Sequence, residues 1–140
     1  MSSYYRERSS ALLKICLLAI VNKSSLYDSN DTIVKRVSDY IYNHFQDTTL
    51  TNEKIARHLG YHPYYLSNLM KTHTGKTLHQ HLLNYRIHIA KNMLVTTNES
   101  IDNITWKTGF NSTSHFISTF KKTVGITPLQ YRHKKRITYF

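Results

Sequence analysis

The hydrophobic positions of this chain fall at helical spacing, in blocks cut by small polar residues and glycines. In residues 110–132, Phe116, Ile117 and Phe120 recur on one face, while Ser112, Thr113, Ser114 and Ser118 keep the opposite face small and polar. Gly125 ends this helix, Thr127 is placed to cap the next, and Pro128 suits its first turn. Upstream, Asp31 is placed to cap a helix whose stripe is Ile33, Val37, Ile41 and Phe45, flanked by Val34, Tyr40 and His44, with polar residues 46–49 ending it. Thr51 caps a short helix carrying Ile55, Ala56 and Leu59, with Glu53 favourable in its first turn. Gly60 turns the chain, and Pro63 starts a helix that points Tyr65, Leu66, Leu69 and Met70 inward and Tyr64, Ser67 and Asn68 outward.

Residues 77–97 carry a longer periodicity. Leu78, Leu82, Tyr85, Ile89 and Met93 lie along one side, and Leu83, Ile87, Ala90 and Leu94 along another. A helix apolar on two sides serves two small cores, and this one spans roughly 30 Å at about 1.5 Å per residue. Ser100 then caps a second short helix with Ile101, Ile104 and Trp106, and Gly109 turns into the helix of Phe116 and Phe120.

The chain therefore holds one unit twice. Ile55 and Gly60 correspond to Ile104 and Gly109 at an offset of 49, whereas Leu66, Met70, Lys71, Gly75 and Thr77 correspond to Phe116, Phe120, Lys121, Gly125 and Thr127 at 50. The second copy thus has one extra residue. Two short helices joined at a glycine, the second with a free outward face, form a helix-turn-helix. The predicted fold is all-α: two three-helix helix-turn-helix subdomains joined by a long shared helix.

Charge says what such a pair of helices meets. The 140 residues carry a formal charge of +11, and it is uneven: residues 1–52 hold six Lys/Arg against five Asp/Glu, residues 53–140 thirteen against three. Residues 54–98 and 103–140 contain no acidic side chain. A solvated surface that only aids solubility interleaves both signs, so this distribution points to a polyanion.

Other chemistry finds little support. The single cysteine, Cys16, excludes an internal disulfide and a zinc site of several thiolates, and a reduced, cytoplasmic setting fits. Of nine histidines, His58 and His62 fall across the turn at Gly60 and His79 and His81 point to different sides, so no metal site is expected. No carboxylate pair, glycine-rich phosphate loop or activated nucleophile stands out, so neither catalysis nor a cofactor is expected. The eleven tyrosines fall mostly in core phase, as Tyr40, Tyr65 and Tyr85 do, which favours packing over stacking on single strands. The apolar run of residues 11–21, bounded by Ala11 and Val21, is interrupted by Lys14 and too short to span a bilayer, so no membrane insertion is expected. It reads as a helix apolar nearly all round, a packing surface for another domain or subunit.

With these residues in view, the sequence resembles the DNA-binding domain of the AraC/XylS family of bacterial transcription regulators over about residues 33–135. Ile101, Ile104, Gly109, Phe110, Phe116, Phe120, Lys121, Lys122, Gly125, Thr127, Pro128, Tyr131 and Arg132 match the family pattern in order and spacing. Ile55, Ala56, Leu59, Gly60, Leu66, Lys71, Gly75, Arg86, Ala90 and Leu94 match it in the first half. Asn52, Met70 and Thr105 depart from it, and Thr105, in place of alanine, is expected to shift how the last helices pack. The resemblance implies residues 1–30 as a linker helix toward an N-terminal effector or dimerisation domain, 31–76 as the first helix-turn-helix subdomain, 77–97 as the connecting helix and 98–140 as the second subdomain.

It also implies a sequence-specific regulator, an activator, that binds double-stranded promoter DNA and meets RNA polymerase, with residues 11–21 facing a dimer partner or effector domain. Base contacts are expected from Tyr64, Ser67 and Asn68 in one reader and Thr113, Ser114 and Ser118 in the other. Phosphate contacts are expected from Lys71, His115, Lys121, Lys122 and Arg132. Neither reading face carries an arginine, so the commonest guanine contact is absent and an A/T-leaning preference with shape readout is expected. The competing reading is a helical protein-interaction or non-specific RNA-binding module.

Overall fold

A computed structural model describes residues 29–137. From Val34 onward these residues form one compact unit, and residues 29–33 fall outside it. The expected linker helix, with residues 11–21, lies outside the described residues. Seven helices follow in order: α1 (Asn30–His44), α2 (Asn52–Leu59), α3 (Pro63–Thr74), α4 (Leu78–Thr96), α5 (Ile101–Lys107), α6 (Thr113–Val124) and α7 (Pro128–Ile137). The all-α fold expected from the periodicity is the fold observed, with α1–α3 and α5–α7 on either side of α4.

Most helix starts lie where the capping residues put them. Thr51 accepts from the Lys54 N–H, Ser100 from Asn103 and Ser112 from His115, each satisfying a donor that the first turn leaves free. Thr77 and Thr127 both form reciprocal pairs, with Gln80 and Gln130 returning a bond to the cap N–H. The cap of α1 differs from expectation, and that of α3, which starts at Pro63 as expected, is an addition. Ser29, not Asp31, accepts from the Thr32 N–H, which leaves Asp31 inside the first turn of α1. His62 caps α3 through Nδ1, which accepts from the Tyr64 N–H at 3.3 Å.

The repeat is carried down to single hydrogen bonds. At Gly60 the N–H donates to Arg57 O and the Tyr61 N–H to Ala56 O; at Gly109 the N–H donates to Trp106 O and the Phe110 N–H to Thr105 O. The offset is 50 up to the loop before each short helix, where Asp47 matches Thr97. It is 49 from Thr51 and Ser100 to the turn glycine, and 50 again from His62 and Ser112. The second copy has thus lost a residue in the loop before α5 and gained one, Asn111, in the turn before α6. Both changes fall where no helical ladder is interrupted.

Packing follows the stripes with three corrections. Val37, Ile41, Ile55, Leu66, Met70, Leu78 and Leu82 are buried in the first half, and Ile87, Ala90, Leu94, Ile104, Phe110, Phe116 and Phe120 form the second core. Tyr65, expected inward, is 48% exposed, Ile117 lies at 36% and Trp106 at 53%. On such short helices two or three apolar positions fill the space against α4, and the next one round the face stays in solvent. Thr105 is fully buried, its hydroxyl donates to Ile101 O at 2.8 Å, and its carbonyl accepts from the Phe110 N–H as that of Ala56 does from Tyr61.

At the corner between α3 and α4, the Thr74 hydroxyl donates to Met70 O and lies 2.6 Å from His81 Nε2. The hydroxyl has a single hydrogen and its other neighbour is also a carbonyl, so Nε2 donates. Burial, and then nearby Lys76, hold the His81 pKa below its usual 6.5. The unfolded chain therefore takes up this proton first as pH falls. The stabilising contribution of neutral His81 is complete above 6.5 and is lost as pH drops toward the folded-state value. Denaturation midpoints measured between about pH 7.5 and pH 5 should fall less steeply for His81→Gln than for the parent chain, and equal slopes would contradict this.

Candidate nucleic-acid interface

Each reading helix exposes the face left over once its core side chains are placed. On α3, Leu66, Leu69 and Met70 point into the fold, so Tyr64 and Asn68 are exposed, Tyr64 at 74%, and Ser67 is half-buried. On α6, Phe116 and Phe120 are buried, and Ser114, Ser118 and Lys121 lie together on the outer face at helical spacing. The six base-contact candidates thus divide into two separate patches, one for each half of the chain.

Their hydroxyls are not equivalent. Ser118 Oγ donates to His115 O at 3.0 Å, which leaves its lone pairs facing outward as an acceptor. Thr113 Oγ1 donates to Asp102 Oδ1 at 2.7 Å, across the turn from α5 to α6. Asp102 was not singled out by sequence pattern, because only the turn at Gly109 brings it to the start of α6. Thr113 therefore presents its methyl group and a lone pair, with its hydrogen already committed.

The phosphate candidates separate in space. Lys71 and Lys121 occupy matching exposed positions near the ends of α3 and α6. Lys122 and His115 instead turn toward α4, where they line a cleft of about 670 Å³ with Lys76, His79, Asn84 and Thr119. None of the side chains lining that cleft is acidic. Lys76 and His79 are additions that the sequence alone did not reveal, because they precede and open α4 and approach α6 only in the folded chain.

Arg132 also makes internal hydrogen bonds. Its Nε donates to Leu94 O at 3.2 Å and its Nη2 to Glu99 O at 2.6 Å, tying α7 to the end of α4 and the loop beyond it. Burial, followed by neighbouring Arg136, holds its pKa below the ordinary arginine value. Arg136 donates to Thr97 O in the same loop. These half-buried guanidinium groups help close the second subdomain.

A family model described as a helix-turn-helix domain matches residues 55–134. YtdP, an uncharacterized helix-turn-helix transcriptional regulator of Bacillus subtilis, is 38% identical over 109 residues, covering 76% of this chain and 14% of the relative. The Bacillus subtilis bifunctional transcriptional activator/DNA repair enzyme AdaA is 32% identical over 104 residues, covering 74% of this chain and 49% of the relative. This chain therefore spans about half or less of these relatives' length.

Among solved structures, the C-terminal domain of AraT, a response regulator from Geobacillus stearothermophilus, superposes with a TM-score of 0.71 at 34% identity, covering 73% of this chain and 84% of that one. The DNA-binding domain of AdpA, solved in complex with a target DNA, shares the fold at a TM-score of 0.70 and 22% identity, covering 75% of this chain and 94% of that one. The molecule is a double helix-turn-helix DNA-binding domain. It belongs to the AraC-type family of transcription regulators. Among the described residues, no helix is long and apolar enough to cross a membrane.

Proposed function

We propose that this chain binds promoter DNA sequence-specifically by inserting α3 and α6 into successive major grooves on one face of the duplex. The observation that supports this is the paired unit itself: two helix-turn-helices alike to the level of individual turn hydrogen bonds, joined by α4. The 19 residues of α4 span about 28 Å, the scale of the roughly 34 Å between adjacent major grooves on one face. Tyr64, Ser67 and Asn68 differ from Thr113, Ser114 and Ser118, so the two half-sites bound by one chain are unlike in sequence. Asn68 pairs with adenine, Ser118 accepts from a base amino group, and Thr113 meets a thymine methyl.

Lys71, Lys121, Lys122 and His115 hold phosphates and carry affinity, not sequence. Arg132 belongs to the same set, with its Nε and one Nη2 hydrogen given to Leu94 O and Glu99 O and its remaining N–H groups turned to the backbone of the duplex. Regulation by activation, a cytoplasmic location, a contact with RNA polymerase and a dimer or effector partner through residues 11–21 complete the reading. It contains no catalytic step.

A contrast between two variants tests it. Ser118→Ala should alter preference at one base position, by about 1–3 kcal/mol between the best and the next base, with total affinity for other sequences little changed. Lys121→Ala should weaken every duplex alike and lower the salt slope by about 1. A binding selection that returns no preferred duplex supports the non-specific module instead. One that returns a strictly G/C-rich motif contradicts the A/T-leaning part of the reading.

A further inference from the structure

The residue that joins the two readers is Arg86, in the middle of α4. It is 6% exposed, an unusual depth for an arginine, and burial holds its pKa below the ordinary value. Its Nε donates to Phe45 O and its Nη2 to Asp47 O, both at 2.8 Å, closing the end of α1 and the loop before α2. In the second copy the equivalent bond runs from Arg136 to Thr97 O, at an offset of 50 for both partners. Each subdomain is thus closed by an arginine from the helix after its reading helix.

In the first copy the same arginine has a second neighbour. Gly109, the turn of the other subdomain, sits so close that a Cβ there would overlap Phe45 O and lie 2.9 Å from Arg86 Nε. Its counterpart Gly60 has nothing within 4 Å of the same position. Both glycines have positive φ, 79° and 82°, so backbone conformation alone requires a glycine-like residue at either site. Only at Gly109 does the close approach add a further requirement. The next residue, Phe110, is 1% exposed and lies under the guanidinium, with Arg86 Cζ 5.8 Å from the ring centroid. Arg86 is held from one side by the carbonyls of the first subdomain and from the other by the turn of the second.

We propose that Arg86, Gly109 and Phe110 form a rigid joint that sets the separation and angle of α3 and α6, and so make the protein discriminate among DNA sites by the spacing between their two halves. This rests on the reading that one chain spans two half-sites. A shared helix alone leaves the subdomain packed on each end free to tilt. A planar guanidinium fixed by two carbonyls on the first subdomain and set over a ring of the second removes that freedom. The three residues touch no base in this scheme. They act as positioning residues for both readers at once.

The test uses the duplex selected by the parent chain, together with versions lengthened or shortened by one base pair between the halves. The parent chain should lose about tenfold or more at each altered spacing. Arg86→Lys keeps the charge but not the planar pair of bonds, Gly109→Ala opens the contact at Phe45, and Phe110→Leu keeps an apolar filler while removing the ring. In variants that remain folded by circular dichroism, affinity for the selected duplex should fall and the difference among the three spacings should shrink to about twofold. Gly60→Ala, with the same backbone strain and no such neighbour, should lower affinity by one factor at every spacing. If the joint variants lose affinity evenly while keeping the parent's preferred spacing, the joint has no role in specificity. Should all three joint variants prove unfolded, amide exchange in the parent chain decides: protection shared between the Gly109 turn and the end of α1 supports the joint, and independent opening overturns it. If the parent chain itself shows no spacing preference, or its selected site has only one half, it is the two-groove reading that fails.

Discussion

Phe116→Ala should destabilise the protein by about 3–5 kcal/mol and leave the second subdomain unfolded or barely folded near room temperature. Phe116 is fully buried, and its ring stands between Phe110, 5.2 Å away at 65°, and Phe120, 5.8 Å away at 59°, with Tyr131 against the far side of Phe120. The truncation removes a buried ring and also breaks two tilted aromatic contacts, each worth about 0.5–1.5 kcal/mol beyond the area it covers. The first copy places Leu66 at the matching position, so its core has no such ladder to lose. Ile117→Ala, one residue on, should cost under about 1 kcal/mol because Ile117 already lies at the surface. Urea denaturation followed by helical circular dichroism separates the two outcomes. Similar midpoints for both variants would mean that the aromatic ladder does not hold α6 in place.

The affinity of the folded chain for its DNA should fall by roughly a thousandfold or more between about 50 mM and 200 mM salt, if six or more phosphates are neutralised. The physical basis is the surface around the readers: residues 103–140 carry no acid at all, Lys71 and Lys121 stand beside the two reading faces, and Lys122 lines the cleft against α4. Each phosphate contact releases condensed counterions, and that release is worth less as bulk salt rises. Asp102 is the exception near the second reader, and its carboxylate is occupied by Thr113. Fluorescence anisotropy with the selected duplex across that range gives the slope directly. A flat response would mean that affinity comes from groove contacts and not from charge.

The two expectations rest on different layers of the molecule. Phe116 and Phe120 announce themselves through helical spacing, and the structure puts both in the core. Ile117, Tyr65 and Trp106 have the same chemistry and similar spacing but end at the surface. Periodicity identifies an apolar face without saying how wide a strip the neighbouring helix covers, and α4 covers only a narrow one on helices of 7 to 12 residues. The cap residues Thr51, Ser100 and Thr127 were legible because capping is local, decided by a side chain and an N–H two or three residues away. His62 was missed because histidine is an uncommon cap, and Ser29 was missed because Asp31, two residues on, is of an equally good capping type.

By itself, the sequence determined what is local or repeated: the order of the helices and several of their caps, the two turn glycines, the doubled unit with its uneven offset, and the outward phase of Tyr64, Asn68, Ser114 and Ser118. Hydrophobic period, capping chemistry and glycine's access to positive φ all act over a few residues, so a linear string records them. Only the tertiary structure decided the uses of the arginines and of Asp102. Arg86 reaches Phe45 and Asp47, 41 and 39 residues away, and Arg132 reaches Leu94 and Glu99, 38 and 33 away. A cation looks the same in sequence whether it faces a phosphate or a buried carbonyl. Which of the two it meets depends on where distant helices bring their ends, and that is settled only when both cores close on α4.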